Sequence, residues 1–464
     1  MRYTSTRANI DAGFVDTIAG GLGQGGGLSL PTSWPRLKRG ALVGIAEGGY
    51  GAAIETVGRA FAGESVPAAV WRRVAAETVA AFRHPAVAPL SEIGHGRWLL
   101  ELFHGPTLSF KDYGLQPLAR LLTTVAPRND SPLLILGATS GDTGSAGIAA
   151  FRGLPGARIA ILHPEGRVSA VQRLQMTTET APNVLNIAVD GSFDDCQRIV
   201  KALLADPPGG DNQPVLSVNS INWGRLVFQT AYYVYTAARL APMGRPLGFS
   251  IPSGNFGNAL SAIVAAKIGA PIDHLLIATN ANDALVRALE GRPPATDGDV
   301  RATHSPAMDI GIPSNLERLL YLLLDEDTAA TTEATNALAD ALPVALPANW
   351  QSRLPVSIEA LRVTDAETLG EIRRSYRETD RILDPHSAVA VAAARRARRL
   401  RDMRHVCVAT AHPGKFPEAV SRALGFTPPP PPPLAGLDRR REHVLRCPAE
   451  TDAVRHLILD HWQT

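Results

Sequence analysis

The residues best able to do chemistry lie in one lysine segment and two glycine-rich loops. The segment 98–122, WLLELFHGPTLSFKDYGLQPLARLL, opens as a strand, passes a Gly-Pro turn and predicts a helix starting near Lys111. Phe110 precedes this lysine, Leu108 lies three residues back, and Leu115 and Leu118 follow on the helix. Apolar surroundings and the positive end of a helix each lower the pKa of an amine. A neutral amine is the form that attacks an aldehyde to make a Schiff base. The same spacing also allows a surface lysine in the first helical turn, paired with Asp112.

The two loops are GATSGDTGSA at 137–146 and SIPSGNFGNA at 250–259. Each joins a strand to a helix and offers backbone N–H groups at a helix N-terminus, where an anion is favoured. Neither matches GxxxxGK[ST] or GxGxxG. Two anion sockets beside a shielded lysine suit pyridoxal 5'-phosphate (PLP) with an anionic substrate, one loop taking the cofactor phosphate and the other a carboxylate. For either loop alone, a tight packing turn of an α/β sheet is the alternative. A third stretch, GGLGQGGGLSLP at 20–31, matches GxGxxG from Gly21 to Gly26. It lacks a strand before it and a helix after it, so it reads as a flexible turn.

The elements that must position these groups alternate along the chain. LLILGA, RIAILHP, LGFSIP, HLLIATN and HVCVATAHP read as buried strands, and GSAGIAAFRG and ALSAIVAAKIG as helices following two of them. That pattern predicts an α/β fold of open, mostly parallel sheets covered by helices. A chain of 464 residues exceeds what one core supports. Residues 1–85 read as a separate, mainly helical N-terminal domain. Residues 86–425 read as the catalytic region, two α/β subdomains with mostly helical insertions at 316–345 and 356–402. Residues 426–464 read as a C-terminal tail, opened by an extended run of six prolines at 428–433.

Composition narrows the function classes. A net charge of +2 implies no nucleic-acid partner. The arginine clusters Arg395, Arg396, Arg398, Arg399, Arg401 and Arg439, Arg440, Arg441 read as solvated faces. Three cysteines give neither a disulfide framework nor metal-ligand spacing, as in a reducing cytosol. The start lacks the apolar core of a signal peptide, and no apolar run reaches membrane-spanning length. The expectation is a cytoplasmic protein with no membrane partner and no metal, a monomer or homodimer acting on a small molecule.

YTSTR (3–7), GGLSLP, LFHGPTLSFKD, ATSGDTGSA, SVNSINWGR (217–225), PSGNFGNA and ATAHPGKF (409–416) follow one another along the chain. As a set they resemble the motifs of threonine synthase, in the longer type found in many bacteria and in fungi. The likeness spans roughly residues 1–425. It implies a fold type II PLP enzyme, similar to the tryptophan synthase β subunit, with an extra N-terminal domain. It implies that Lys111 carries PLP, that Ser253, Gly254, Asn255, Phe256, Gly257 and Asn258 hold the cofactor phosphate, and that Thr410 bonds the pyridine nitrogen. Thr139, Ser140 and Thr143 would meet the substrate carboxylate. Arg225, with Asn219, Ser220 and Asn222, would meet the substrate phosphate, with Lys415 as second choice. His104 and His412 would line the cofactor or serve the structure.

Asp142 is the discordant residue, because related enzymes often place Asn there against the cofactor's phenolate oxygen. An ionised Asp would repel that oxygen, so the carboxyl is expected to be protonated or turned away. The implied reaction converts O-phospho-L-homoserine and water into L-threonine and phosphate. A related phospho-lyase releasing 2-oxobutyrate, or a non-catalytic binder, would carry the same motifs.

Overall fold

A computed structural model describes every residue except 21–23, 95, 127–130, 211–212, 241–243, 296–299 and 464. The N-terminal region contains β1 (Arg2–Ser5), β2 (Ala12–Gly13), α1 (Phe14–Ala19), β3 (Ser29–Pro31), α2 (Arg39–Ala62) and α3 (Ala68–Ala80). β2 and β3 pair antiparallel on either side of β1. Gly49, at φ 74°, breaks α2. Beyond the break Tyr50, Ala53, Ile54, Val57 and Phe61 fall on one buried stripe at helical spacing. Gly58 lets α3 close on that stripe, since a Cβ there would lie 2.3 Å from the Trp71 ring.

The body continues with β4 (Leu90–Glu92), β5 (Arg97–Glu101), α4 (Lys111–Val125), β6 (Leu133–Ala138), α5 (Asp142–Phe151), β7 (Ala157–Pro164), α6 (Ala170–Thr177), β8 (Val184–Asp190) and α7 (Phe193–Ala205). Next come β9 (Val215–Ser217), α8 (Trp223–Leu240), β10 (Leu247–Pro252), α9 (Gly257–Lys267), β11 (His274–Thr279), α10 (Ala284–Leu289), α11 (Leu316–Leu323) and α12 (Thr328–Ala339). The chain ends with β12 (Ser357–Arg362), α13 (Asp365–Thr379), α14 (Pro385–Arg396), β13 (Arg404–Ala409), α15 (Pro417–Leu424), β14 (Leu445–Pro448) and α16 (Thr451–Gln463).

Two sheets form the body. One has the order β12-β11-β10-β13-β5-β4, parallel except for β4. The other, β14-β8-β7-β6-β9, is parallel throughout. β6, β10 and β11 are buried at every residue, as strands covered on both faces must be. α8 packs against α2, α4 and α9 and is buried along its length apart from Arg239.

Three expectations change. The stretch 356–402 contains β12, which extends the first sheet beside β11. The segment 426–464 folds onto the body, with β14 pairing with β8 and α16 packing Val454 and Ile458 against Val200 and Leu203 of α7. Arg395 is no solvated side chain: it bonds Glu371 and Glu378. Of the glycine-rich stretch 20–31, residues 21–23 lie outside the described residues. Gln24–Gly26 form a single 3-10 turn.

Candidate active site

Five loops leave the C-terminal ends of parallel strands β5, β6, β9, β10 and β13, where ligands of open α/β sheets bind. They are the five internal motif segments. Backbone bonds lock the first to the last: Phe110 N–H donates to Thr410 O, His412 N–H to Leu108 O, and Leu102 N–H to Ala409 O. Lys111 is thereby fixed beside Thr410.

α4 begins at Lys111 itself, whose side chain is only 12% exposed. Its Nζ lies 4.9 Å from the centre of the Phe110 ring and 3.6 Å from Asp142 Oδ2. Burial lowers the pKa of this amine, Asp142 opposes that shift, and Lys415 and Arg225 add to it. Asp112 is not its partner. That carboxylate accepts from Thr107 N and Thr107 Oγ1 inside the loop, and burial lifts its pKa to about 6. Leu108, in the same loop, sits at φ 61°, an unfavourable conformation for a branched side chain that the surrounding bonds enforce.

The loop after β10 is a second strained element. Phe256 adopts φ 64° and turns the chain so that α9 starts at Gly257. Gly254 has no room for a side chain, because a Cβ would lie 2.9 Å from both Ala307 O and Met308 Cα. Asn255 Oδ1 accepts from Ser314 N and Ser314 Oγ, and Asn315 Nδ2 donates to Ser220 O. Ser314 and Asn315 thus join this loop to the one after β9. Two buried donors here, Ser253 Oγ and Asn258 Nδ2, have no hydrogen-bond partner among the described residues. Tyr232 and Tyr233 hydroxyls both donate to Asn258 Oδ1, which fixes the amide's orientation. A helix N-terminus with a close-approach glycine and orphaned donors fits a phosphate group.

The other expected residues separate by what they bond. Thr139 Oγ1 accepts from the N–H groups of Gly141 and Gly144 and donates to Gly141 O, so it shapes its own loop. Ser140 is exposed and Thr143 partly buried. Asn222 is fully engaged, donating to Ile18 O and accepting from Gly224 N–H. Asn219 and Ser220 are partly buried, and the Ser220 hydroxyl meets Ser314 Oγ at 3.2 Å. Arg225 is 2% exposed and donates one N–H to Val218 O. It has no carboxylate partner among the described residues, its Nε is unbonded, and burial pulls its pKa down to about 10. His104 bonds Glu101, and His412 Nδ1 accepts from Gly414 N–H.

Asp142 departs from both expectations. It is buried, ionised and faces the site, its pKa lowered by Lys415 and Lys111 against the cost of burial. Lys415 does not stand free to bind a substrate phosphate. Its ammonium sits 2.7 Å from Asp142 Oδ1 and donates to Thr107 O at 2.8 Å.

A buried relay backs the Thr410 side of the site. Asp384 caps α14 and accepts from Ser387 Oγ, which in turn accepts from Thr410 N–H. His386 Nε2 accepts from Ala307 N–H, which leaves Nδ1–H to donate to Asp384. Ala307 is the residue packed on Gly254, so one carboxylate steadies both ends of the site.

Comparisons with known proteins agree along the whole chain. Residues 83–411 match the family model "Pyridoxal-phosphate dependent enzyme", 2–79 match "Threonine synthase N terminus" and 387–458 match "Threonine synthase, C-terminal". A threonine synthase of Pseudomonas aeruginosa is 40% identical over 99% of this chain and 98% of its own. The crystal structure of PLP-bound threonine synthase from Brucella melitensis covers all of both chains at 38% identity and TM-score 0.93. That of yeast threonine synthase covers 100% and 99% at 32% identity and TM-score 0.90. The motif set, the strand-end loops and these full-length matches lead to one assignment: the chain belongs to the threonine synthase family of PLP-dependent enzymes.

Proposed function

We propose that this protein makes L-threonine and phosphate from O-phospho-L-homoserine and water, with PLP as its cofactor. One observation carries the reading: a shielded lysine, Lys111, starts a helix near Arg225, a buried arginine with no carboxylate partner among the described residues, in a body whose loop after β10 fits a phosphate. Lys111 would hold PLP covalently. Ser253, Gly254, Asn255, Phe256, Gly257 and Asn258 would hold its phosphate, and Thr410 its pyridine nitrogen. When bound, PLP stabilises negative charge at the substrate α carbon.

The protein's own groups do the rest. Lys111, uncharged once released, takes the α proton as general base. Ser140 and Thr143 offer hydroxyls to the substrate carboxylate, on a loop braced by Thr139. Arg225, Asn219 and Ser220 hold the phosphate, and the Arg225 fork meets developing charge as it departs. Asn222 positions Gly224 beside that arginine. Among the described residues no helix is long and apolar enough to cross a membrane, and we place the reaction in the cytosol.

The test is direct. Wild-type protein reconstituted with PLP should show the absorption band of a lysine-bound cofactor, and Lys111→Ala should abolish it. Borohydride reduction and peptide mapping should place the label on Lys111. NMR of the products from O-phosphohomoserine should show threonine. 2-Oxobutyrate in its place would make the protein a phospho-lyase, and an absent band would overturn the assignment.

A further inference from the structure

Five lysines occur in the chain, at positions 38, 111, 201, 267 and 415. Two of them meet at one carboxylate. Asp142 Oδ1 takes the Lys415 ammonium at 2.7 Å and the Gln172 Nε2–H at 2.8 Å. Asp142 Oδ2 faces Lys111 at 3.6 Å. Lys415 is 1% exposed and Asp142 is 6% exposed, so water screens neither.

The two amines are held unequally. Lys415 has a carboxylate oxygen and the Thr107 carbonyl at hydrogen-bond distance. Lys111 has the longer contact to that carboxylate and the Phe110 ring face. If both amines were protonated, the cluster would hold two positive charges against one negative in a dry site, which is costly. Shedding one proton balances it, and the less firmly held amine sheds it. Three further groups face the cluster: Asp112 from α4, Arg225 from α8 and His412 after β13. Asp112 is occupied by Thr107, and Arg225 adds positive charge that presses the same way.

We propose that Lys415 is a positioning residue: by taking Asp142 as its own counter-ion it leaves Lys111 as the uncharged amine. This also accounts for an aspartate at position 142. The Asp142–Lys415 pair is neutral as a unit, so a carboxylate here would not repel an anionic group held next to it. The inference rests on the reading of Lys111 as the reacting amine.

The test is an amine titration of the ligand-free, full-length chain labelled with ¹³Cε-lysine, where Lys111→Ala and Lys415→Gln assign two of the five signals. In wild type the Lys111 signal should titrate below the surface lysines. K415Q should raise its midpoint by about one pH unit or more, because Lys111 then has Asp142 to itself. D142N should lower it, and the double variant K415Q/D142N should return it towards wild type. K415R, which keeps the charge, should stay near the wild-type midpoint. An unchanged or lowered midpoint in K415Q overturns the proposal. Should K415Q fail to fold, as read by circular dichroism, D142N decides: a Lys111 midpoint that does not fall overturns it. The titration needs no cofactor. Failure of wild-type protein to bind PLP would therefore strike the functional assignment, whereas a flat titration strikes this proposal.

Discussion

Arg225 shows what residue identity can and cannot convey. Its place in SVNSINWGR marked it as a phosphate ligand by resemblance, but a buried guanidinium with no carboxylate is visible only in three dimensions. Lysine at this position keeps the charge and loses the planar fork. Arg225→Lys should raise KM for the phosphorylated substrate by on the order of 10–100-fold, since charge-assisted bidentate bonds contribute a few kcal/mol. The absorption of bound PLP should be unchanged. Phosphate-release kinetics at varied substrate concentration check this, and an unchanged KM removes Arg225 from the site. The burial of Lys111 was one of two readings that its neighbours allowed, the other being a surface lysine paired with Asp112, and the motif resemblance favoured it. Lys415, Gln172, Ser314 and Asn315 were not legible in their roles, because their importance lies in partners 30 to 308 positions away, which no local pattern encodes.

At the scale of elements, the buried parallel strands were readable because both faces are covered and the sequence is continuously apolar. β12 and β14 were missed for the opposite reason. Both are edge strands, and β14 exposes charged and polar positions such as Arg446 to water, so neither shows an apolar run. The tail's attachment follows the same logic. Leu434 and Leu437 pack with Leu108, Val171 and Leu174, Glu442 bonds Arg173 and Thr177, and Pro431 lies over Gly414. These contacts straddle α6, which carries Gln172 to Asp142. Truncation after residue 425 should therefore do more than shorten the chain. It uncovers the apolar face of α7 and the edge of β8, and the product should be poorly soluble or melt well below the full chain. A milder probe is Ile458→Ala, which should cost about 2–4 kcal/mol by deleting buried methyl groups. Urea unfolding measures it, and a loss below about 1 kcal/mol would mean that α16 adds little to the core.

The whole molecule carries a pH dependence that no single element shows. Burial holds four imidazoles towards the neutral form: His274 and His405 are pulled to about 4, and His163 and His412 are also lowered. An unfolded chain binds protons on these groups below about pH 6.5, whereas the folded chain resists until lower pH. Stability is therefore present above the ordinary histidine range and falls as pH drops through it. The loss approaches roughly 1.4 kcal/mol per pH unit for each fully resistant histidine. Asp112 works the other way. Its raised value, about 6, contributes stability at low pH that is lost as pH rises through 6. Asp309, also raised by burial, acts the same way, so two carboxyls oppose four imidazoles and the histidines win. Glu101, lowered to about 2, matters only further into acid, because its contribution is lost as pH falls from its ordinary 4.5 towards that value. The urea midpoint should accordingly decline as pH falls from about 6.5 towards about 4, the window these shifts set. His405→Gln should make the decline shallower, because one resistant imidazole is gone. A midpoint that stays level or rises on acidification would mean that these four rings are not held neutral in the folded protein.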